Sequence, residues 1–423
     1  MTPFVTPPEP DLQLARRLFD ELDRATRDGR GITRASYGAG EQFAHDLVAR
    51  TARDVGLAVS TDVAGNLYAT LPGRKKDAKT FLIASHLDSV PQGGNFDGAA
   101  GVLAGMAILS AWKRAGFAPD FDTTVMAIRA EESTWFPYSY IGSKGALGLL
   151  PADALEVRRA DTRRTLAQHI DELGFDSKAV RNRTARWKPA DVKGYVELHI
   201  EQGPVLEGSS IPVALVTGIR GSFRYREARV LGEYGHSGAV PRAYRHDAVV
   251  AAAEFVVRLD EKWRELEAAG KDLTLTVGKF FTDAEQHAFS KIAGEVNLCI
   301  DVRSHERDTL ALVREFTDSL EQEIGSKSGV RFELGVLTGS EPASMDAGLI
   351  AAFDRAANAL GIAHTAMPSG AGHDAAVFAG AGIPTLMVFV RNQNGSHNPD
   401  EAMRMEDFDA AVRLIGYAVA NLT

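Results

Sequence analysis

Five stretches of this chain carry side chains able to grip a metal ion. They are His86 in FLIASHLD (81–88), Asp97 in GGNFDGAAG (93–101), Glu131 and Glu132 in VMAIRAEES (125–133), His199 in GYVELHIEQG (194–203) and His397 in NGSHNPDE (394–401). Each sits where a strand-like run gives way to a Gly-rich loop. Imidazoles, a terminal carboxylate, a carboxylate placed to bridge and a spare acid are the parts of a two-metal hydrolase site, whose cations stand about 3.5–4 Å apart. Two adjacent acids in a dry site repel each other, and one is driven toward protonation unless a cation compensates. With metals present, one of Glu131 and Glu132 can ligate while the other takes a proton from water that the metals acidify.

Taken singly, the signals are weak. Asp97 would look the same as the N-cap of the following helix, the Glu pair as an exposed strand end, and His397 as a surface turn residue. Asp88, two positions after His86, shares its face in an extended backbone, which suits a carboxylate that orients a metal-bound imidazole. On the run Tyr195–Glu201, Glu197, His199 and Glu201 face one way and Val196, Leu198 and Ile200 the other. Further polar candidates are His236 in EYGHSGAVP, Arg303 at the end of LCIDVR, and His373 with Asp374 in PSGAGHDA. In the last of these, the amides of Gly370 and Gly372 could hold an anion.

The elements that would position these residues alternate. Residues 41–56 have helical apolar spacing and close on Gly56 as a C′ residue. Residues 57–73 read as a hairpin turning at Ala64-Gly65-Asn66. FLIASHLD is a continuous apolar run suited to a central strand. A helix follows over 97–116, then the strand DTTVMAIRAEES. The pattern predicts an α/β domain, a central mixed sheet flanked by helices, with its site beyond the strand C-terminal ends. After residue 217 the pattern changes to a strand at 222–235 resembling a sheet edge, amphipathic helices at 246–270 and 304–325, and alternating strands between them. This predicts an inserted two-layer α+β domain over 217–333, with 1–216 and 334–423 forming the catalytic domain. The Arg-rich stretch 153–190 reads as a helical surface excursion.

Composition sets the class. The 423 residues, 45% hydrophobic and 24% charged, suit a soluble globular protein of two domains. A net charge of −9 argues against nucleic acid as a partner and leaves small molecules open. The single cysteine, Cys299, fits a reducing compartment and, within VNLCIDV, a buried strand position. The N-terminus has no basic head or continuous apolar stretch, and no run is long enough to span a bilayer, so a cytoplasmic protein is expected.

With those residues assembled, the chain resembles the dinuclear-metal M20 peptidase superfamily. It is most similar to the branch of N-carbamoyl-L-amino acid hydrolases, β-ureidopropionases and allantoate amidohydrolases. SHLDSVPQGGNFDGAAGVLAG, AEES, ELHIEQGPVLE, GHSGAVP, PSGAGHDA and SHNPDE resemble that branch's blocks in the same order, over roughly residues 35–421. ELHIEQGPVLE is the most specific, because His199 replaces an Asp usual elsewhere in the superfamily. The resemblance implies two divalent cations per subunit (Zn, Mn, Co or Ni). His86 and His199 would hold one and Glu132 and His397 the other, with Asp97 bridging. It makes Glu131 the general acid/base, Asp88 the partner of His86, and His236 an oxyanion stabiliser from a lid. Gln202, Ser290, Arg303, Gly372 and His373 would face substrate, Arg303 taking its carboxylate. It also implies a homodimer formed through the inserted domain.

Two departures stand out. Thirteen residues before Arg303, where the family has Asn, this chain has Ser290 in FSKIAG. After the paired acids, Ser133-Thr134-Trp135-Phe136 replaces Gly-Ser-Arg-Phe, which suggests a bulkier or differently charged substrate beside Trp135. The expected function is metal-dependent hydrolysis of a non-peptide C–N bond, that of an N-carbamoyl amino acid, giving ammonia, CO2 and the amino acid. An N-acyl amino acid hydrolase or dipeptidase of the same superfamily is the alternative, and a non-catalytic binding protein on this fold is the remote one.

Overall fold

A computed structural model describes residues 5–76 and 78–422. The chain divides into two compact units. One comprises Met1–Thr217, Met345–Ser369 and His373–Thr423, and the other Gly218–Ser344 with Gly370–Gly372. Residues 334–344, expected with the first unit, belong to the second because Leu337–Ser340 pairs with strand Gly221–Leu231.

In the first unit four strands run parallel in the order Thr385–Val390, Val192–Ile200, Thr80–His86, Thr123–Ile128. Antiparallel strands flank them: Val213–Ile219 beside Thr385–Val390 at one end, and the hairpin Ala58–Thr61/Leu67–Leu71 at the other. The mixed α/β architecture is the one the sequence predicts. Five of the seven residues of Thr80–His86 are apolar or small, and it is buried from Phe81 onward, as a strand covered on both faces requires. One cover is helix Ala99–Ala115, apolar almost all round, which ends at Gly116 in a left-handed conformation (φ +67°). It packs on strand Thr80–His86 and on helices Leu12–Thr26 and Met405–Ala420. Parallel register puts His86 opposite Ile128 and His199 opposite Phe389, so the C-terminal ends of four strands open on the same side.

The second unit is an antiparallel sheet in the order Thr274–Thr282, Glu295–Ser304, Gly221–Leu231, then Arg331–Glu333 and Leu337–Ser340. Alternation is clean on Glu295–Ser304, where Val296, Leu298, Ile300 and Val302 are buried. They meet Phe255 and Leu259 of helix Ala248–Ala268 and Val313, Leu320 and Ile324 of helix Arg307–Ser328, at helical spacing.

Three expectations need correction. Strand Gly221–Leu231 is interior, because Glu295–Ser304 pairs with it on one side and Arg331–Glu333 and Leu337–Ser340 on the other. Cys299 is half-buried, on the face opposite Leu298 and Ile300. The stretch 153–190 is no mere surface excursion, since Leu155, Leu166, Ile170 and Val180 bury a satellite core with Trp135 and Phe136. No helix among the described residues is long and apolar enough to cross a membrane.

Candidate active site

The site is built at the four parallel strand ends. His86 is the last residue of its strand and His199 the last but one of its own. Both rings turn Nδ1 toward carbonyl oxygens, His86 to that of Asp88 at 3.1 Å and His199 to that of Ile200 at 2.9 Å. An Nδ1–H donated there leaves each Nε2 lone pair free to face inward. The two Nε2 atoms lie 3.4 Å apart, and 3.4 and 3.2 Å from Asp97 Oδ1. Asp97 Oδ2 lies 3.4 Å from His397 Nε2, which is 3.2 Å from Glu132 Oε1. Asp97 thus offers one oxygen to His86 and His199 and the other to His397 and Glu132.

Asp97 does not cap the helix that follows. Gly98 takes that place at φ +66°, and a Cβ there would stand 2.4 Å from His86 Cε1. Only glycine lets the loop pass the imidazole so closely.

Asp88 acts at two levels. Its carbonyl oxygen and Oδ1 lie near His86 Nδ1, and its carboxylate accepts N–H bonds from Glu131 at 3.1 Å and Glu132 at 3.2 Å. Upstream, Glu41 accepts from Ala130 N–H at 2.9 Å and pairs with buried Arg129 at 2.8 Å. This fixes a turn in which Ala130 is held at φ +51°. Gln202 (φ +64°) and His397 (φ +58°) are likewise left-handed. Such conformations in residues other than glycine persist only where surroundings impose them, and they gather at functional sites.

In this cluster burial and close contact push the charges in opposite directions. Burial alone would strip charge from His86, His199 and Asp97, but their mutual contacts prevail. Asp88 and Asp97 lift His86 well above the ordinary histidine range, Asp97 also lifts His199, and the three imidazoles hold Asp97 well below the usual carboxylate range. Hydrogen bonds to Asp97 and Glu132 push His397 up to about 11. A cation held among these groups would neutralise the same acids. Asp97 Oδ1, fully buried, has no regular hydrogen-bond donor. Two inward lone pairs on a carboxylate oxygen fit a divalent cation, so the residues present suit the metals that the sequence implies. The groups His86–Asp97–His199 and Asp97–Glu132–His397 can each hold one, with ligand atoms within 4.8 Å of one another.

Buried Glu131 lies near enough to feel the charges of His86 and Glu132, without joining either group. Burial, with the charges of Glu132, Asp374 and Asp88, raises its carboxyl well above the ordinary range against the pull of His86.

The chain belongs to peptidase family M20/M25/M40. The family model matches residues 82–421. An N-carbamoyl-L-amino acid amidohydrolase of Geobacillus stearothermophilus is 34% identical over 97% of this chain and 98% of that protein. An allantoate amidohydrolase of Escherichia coli is 31% identical over 93% of each. The crystal structure of a hydantoinase/carbamoylase family amidase from Burkholderia multivorans superposes with a TM-score of 0.86 at 26% identity over 97% of each chain. This M20 chain is an amidohydrolase acting on C–N bonds.

The remaining expected residues lie in varied surroundings. Gln202 donates its side-chain amide to Asp97 Oδ2 at 2.9 Å, where a substrate contact was expected. His373 is buried, its ring 4.4 Å from that of His199, and burial keeps it neutral. His236, Ser290, Arg303 and Gly372 belong to the second unit. There His236 Nδ1 accepts from the N–H groups of Gly238 and Ala239, which puts the proton of the neutral ring on Nε2. Ser290 is exposed, and its carbonyl accepts from Ser237 N–H. Arg303 grips Asp301 and donates to the Gly370 carbonyl. Trp135 offers substrate little: it is 9% exposed and its indole N–H is tied to the Ser89 carbonyl at 2.7 Å.

Two further buried acids, Glu197 and Glu401, were given no role from sequence, and Asp374 was named there only as a polar candidate beside His373. Glu197 accepts from Tyr195 O–H and Ala375 N–H beneath His199. Asp374 accepts from Ser143 O–H, and burial beside Glu197 raises it to about 8. Glu401 accepts from the backbone of Phe96 and Asp97. Glu197 was visible as a charge on the His199 face of a buried strand; Glu401 carried no comparable signal.

Proposed function

We propose that this M20 amidohydrolase removes the carbamoyl group from an N-carbamoyl amino acid with two divalent cations per chain. Zn, Mn, Co and Ni all suit the ligands. His86, Asp97 and His199 would hold one and Asp97, Glu132 and His397 the other. The observation that carries this reading is the division of Asp97 between the two groups, beside the protonatable Glu131. Bound cations would supply polarisation of the scissile carbonyl and acidification of water toward neutrality. Glu131 takes the proton that the attacking water gives up and passes it to the leaving nitrogen. Asp88 keeps both Glu131 and His86 in place during that transfer. One water and the ureido acid give ammonia, CO2 and the free amino acid.

His236, carrying its proton on Nε2, is suited to donate to the oxygen that gains charge, and Arg303 to fork onto the substrate carboxylate. Ser290, Gly372 and His373 complete the substrate contacts in this reading. We place Gln202 as a brace on Asp97 first and a substrate contact second. The unit Gly218–Ser344 would close over the site and pair subunits through strand Thr274–Thr282. Among the described residues that strand is paired on one side only, and it exposes Phe280 and Phe281. The single cysteine suits a reducing compartment, and we place the protein in the cytoplasm.

A panel of carbamoyl, formyl and acyl amino acids with allantoate, supplied with Mn or Zn, tests the substrate. Ammonia release from carbamoyl amino acids is the expected result. Free carboxylic acid from acyl amino acids, without ammonia from the carbamoyl ones, would replace this reading with an acylase.

A further inference from the structure

Asp97 has to be held still if one carboxylate is to serve two cations, and its own loop is poorly equipped for that. The loop is GGNFDG, three of its six residues glycine; Phe96 packs against Phe19 and Asn95 donates to the Phe19 carbonyl. The backbone at Asp97 itself is fixed from the other end of the chain. Glu401 Oε1 accepts the N–H of Phe96 at 2.8 Å and that of Asp97 at 3.1 Å, across a sequence separation of 304 residues for the second bond. The carboxylate lies so close beneath the loop that a Cβ at Gly94 would stand 2.0 Å from Glu401 Cδ. Glu401 is 8% exposed.

Arg34, also buried, holds the same loop from another side. Its guanidinium donates to the Leu87 carbonyl at 2.7 Å, just after His86, and to Asn95 Oδ1 at 3.1 Å, within the Asp97 loop. Glu401 also follows His397 by four positions in one loop, SHNPDE. That loop therefore brings His397 to Asp97 Oδ2 and Glu401 to the Asp97 amide together.

We infer that Glu401 is a positioning residue that locks the Asp97 loop to the His397 loop, and so sets the geometry of the Asp97–Glu132–His397 group above all. The inference rests on the two-cation reading given above. His86 and His199 stand on strand ends that Glu401 does not touch, so their cation depends on it only through Asp97. The role is that of an acceptor for two backbone donors, which a glutamine oxygen can also fill.

The test is a titration of demetallated full-length protein with Co2+ alone, followed by calorimetry and by the visible absorption of the bound ion. Wild type should bind two ions. In Glu401→Ala the weaker ion should lose about 10–100-fold in affinity, the usual effect of removing a ligand's support, while the tighter one shifts less. Glu401→Gln should recover most of the loss. Equal two-ion binding by wild type and Glu401→Ala would overturn the inference, as would Glu401→Gln binding as poorly as Glu401→Ala. Should Glu401→Ala not fold, Gly94→Ala, which drives a methyl against Glu401 in place, carries the test. It must weaken the same ion, and wild-type binding by it would again overturn the inference. Wild type that binds no ion would instead sink the two-cation reading itself.

Discussion

The two units differ in where they tolerate buried charge. Among the described residues, the buried ionisable side chains all belong to the first unit: Arg34, Glu41, His86, Asp88, Asp97, Arg129, Glu131, Glu132, His199 and Glu401 are among them. The second unit buries only hydroxyls, those of Ser222, Ser304, Thr309 and Thr317. Its acids and guanidiniums pair on partly exposed faces, as Arg224 and Arg303 do on Asp301. Taking charge out of water costs several kcal/mol per ion unless something offsets it. The second unit is an ordinary α+β fold that does not incur that cost among the described residues, whereas the first incurs it, and gathers His86, Asp88, Asp97, Glu131, Glu132 and His199 at one end of one sheet. The contrast teaches that the cluster is there for chemistry, since the same chain shows how it folds without one.

The contrast can be broken most sharply at Glu131. Glu131→Gln should lower kcat by about 10²–10⁴-fold, the worth of a positioned proton-transfer group. Cation binding and thermal stability should stay near wild type, because Glu131 joins neither group of ligands. A kcat within a few-fold of wild type would remove Glu131 from the proton path.

Cations should stabilise the units unequally. At a free concentration about 100 times the dissociation constant, binding adds about 2.7 kcal/mol to whatever unfolds with the site. Hydrogen exchange in strands Thr80–His86 and Val192–Ile200 should slow by that amount on adding Zn or Mn, and exchange in Glu295–Ser304 should not. Equal protection of both sheets would mean that the units unfold as one and that the comparison has no energetic content.

In the second unit, Asp272 is held by Arg220 and by the backbone of His305. Burial raises the Asp272 carboxyl, but the Arg220 and His305 bonds outweigh it and hold it below the ordinary value. Its folded value being the lower one, the contribution is present above the unfolded-state value near pH 3.9 and lost as the pH falls through the folded one. Asp272→Asn should cost about 1.5 kcal/mol at neutral pH, and the gap from wild type in urea midpoints should close with acidification. A gap that persists at the lowest pH would assign the loss to packing. The smallest effect belongs to Arg258, whose bond to Glu323 is exposed. Arg258→Ala should leave the urea midpoint essentially at its wild-type value, and a clear loss would show the helix pair to be held by charge.

How far the sequence reveals this arrangement depends on the kind of contact. The strands and the gathering of His86, Asp97, Glu132, His199 and His397 are legible because a polar residue closing an apolar run has few structural uses. His86 after FLIAS and His199 on an otherwise apolar strand are of that kind. Contacts from a side chain to a distant backbone leave no such trace. Nothing in SHNPDE announces that Glu401 reaches the amide of Asp97, nor in EQG that the Gln202 amide turns to the same residue. Trp135 misleads for a related reason: a replacement beside the paired acids looks like a change of substrate surface until its indole is found tied to Ser89. Cys299 was misread although alternation from Leu298 and Ile300 puts it on the opposite face, whereas the interior place of strand Gly221–Leu231 depends on distant pairing partners that its own residues do not reveal.

Anomalous diffraction at the zinc edge, from crystals of the zinc-reconstituted protein, tests the central claim most directly. The account predicts two peaks per chain, one among His86, Asp97 and His199 and the other among Asp97, Glu132 and His397. A single peak, or peaks away from Asp97, would contradict it.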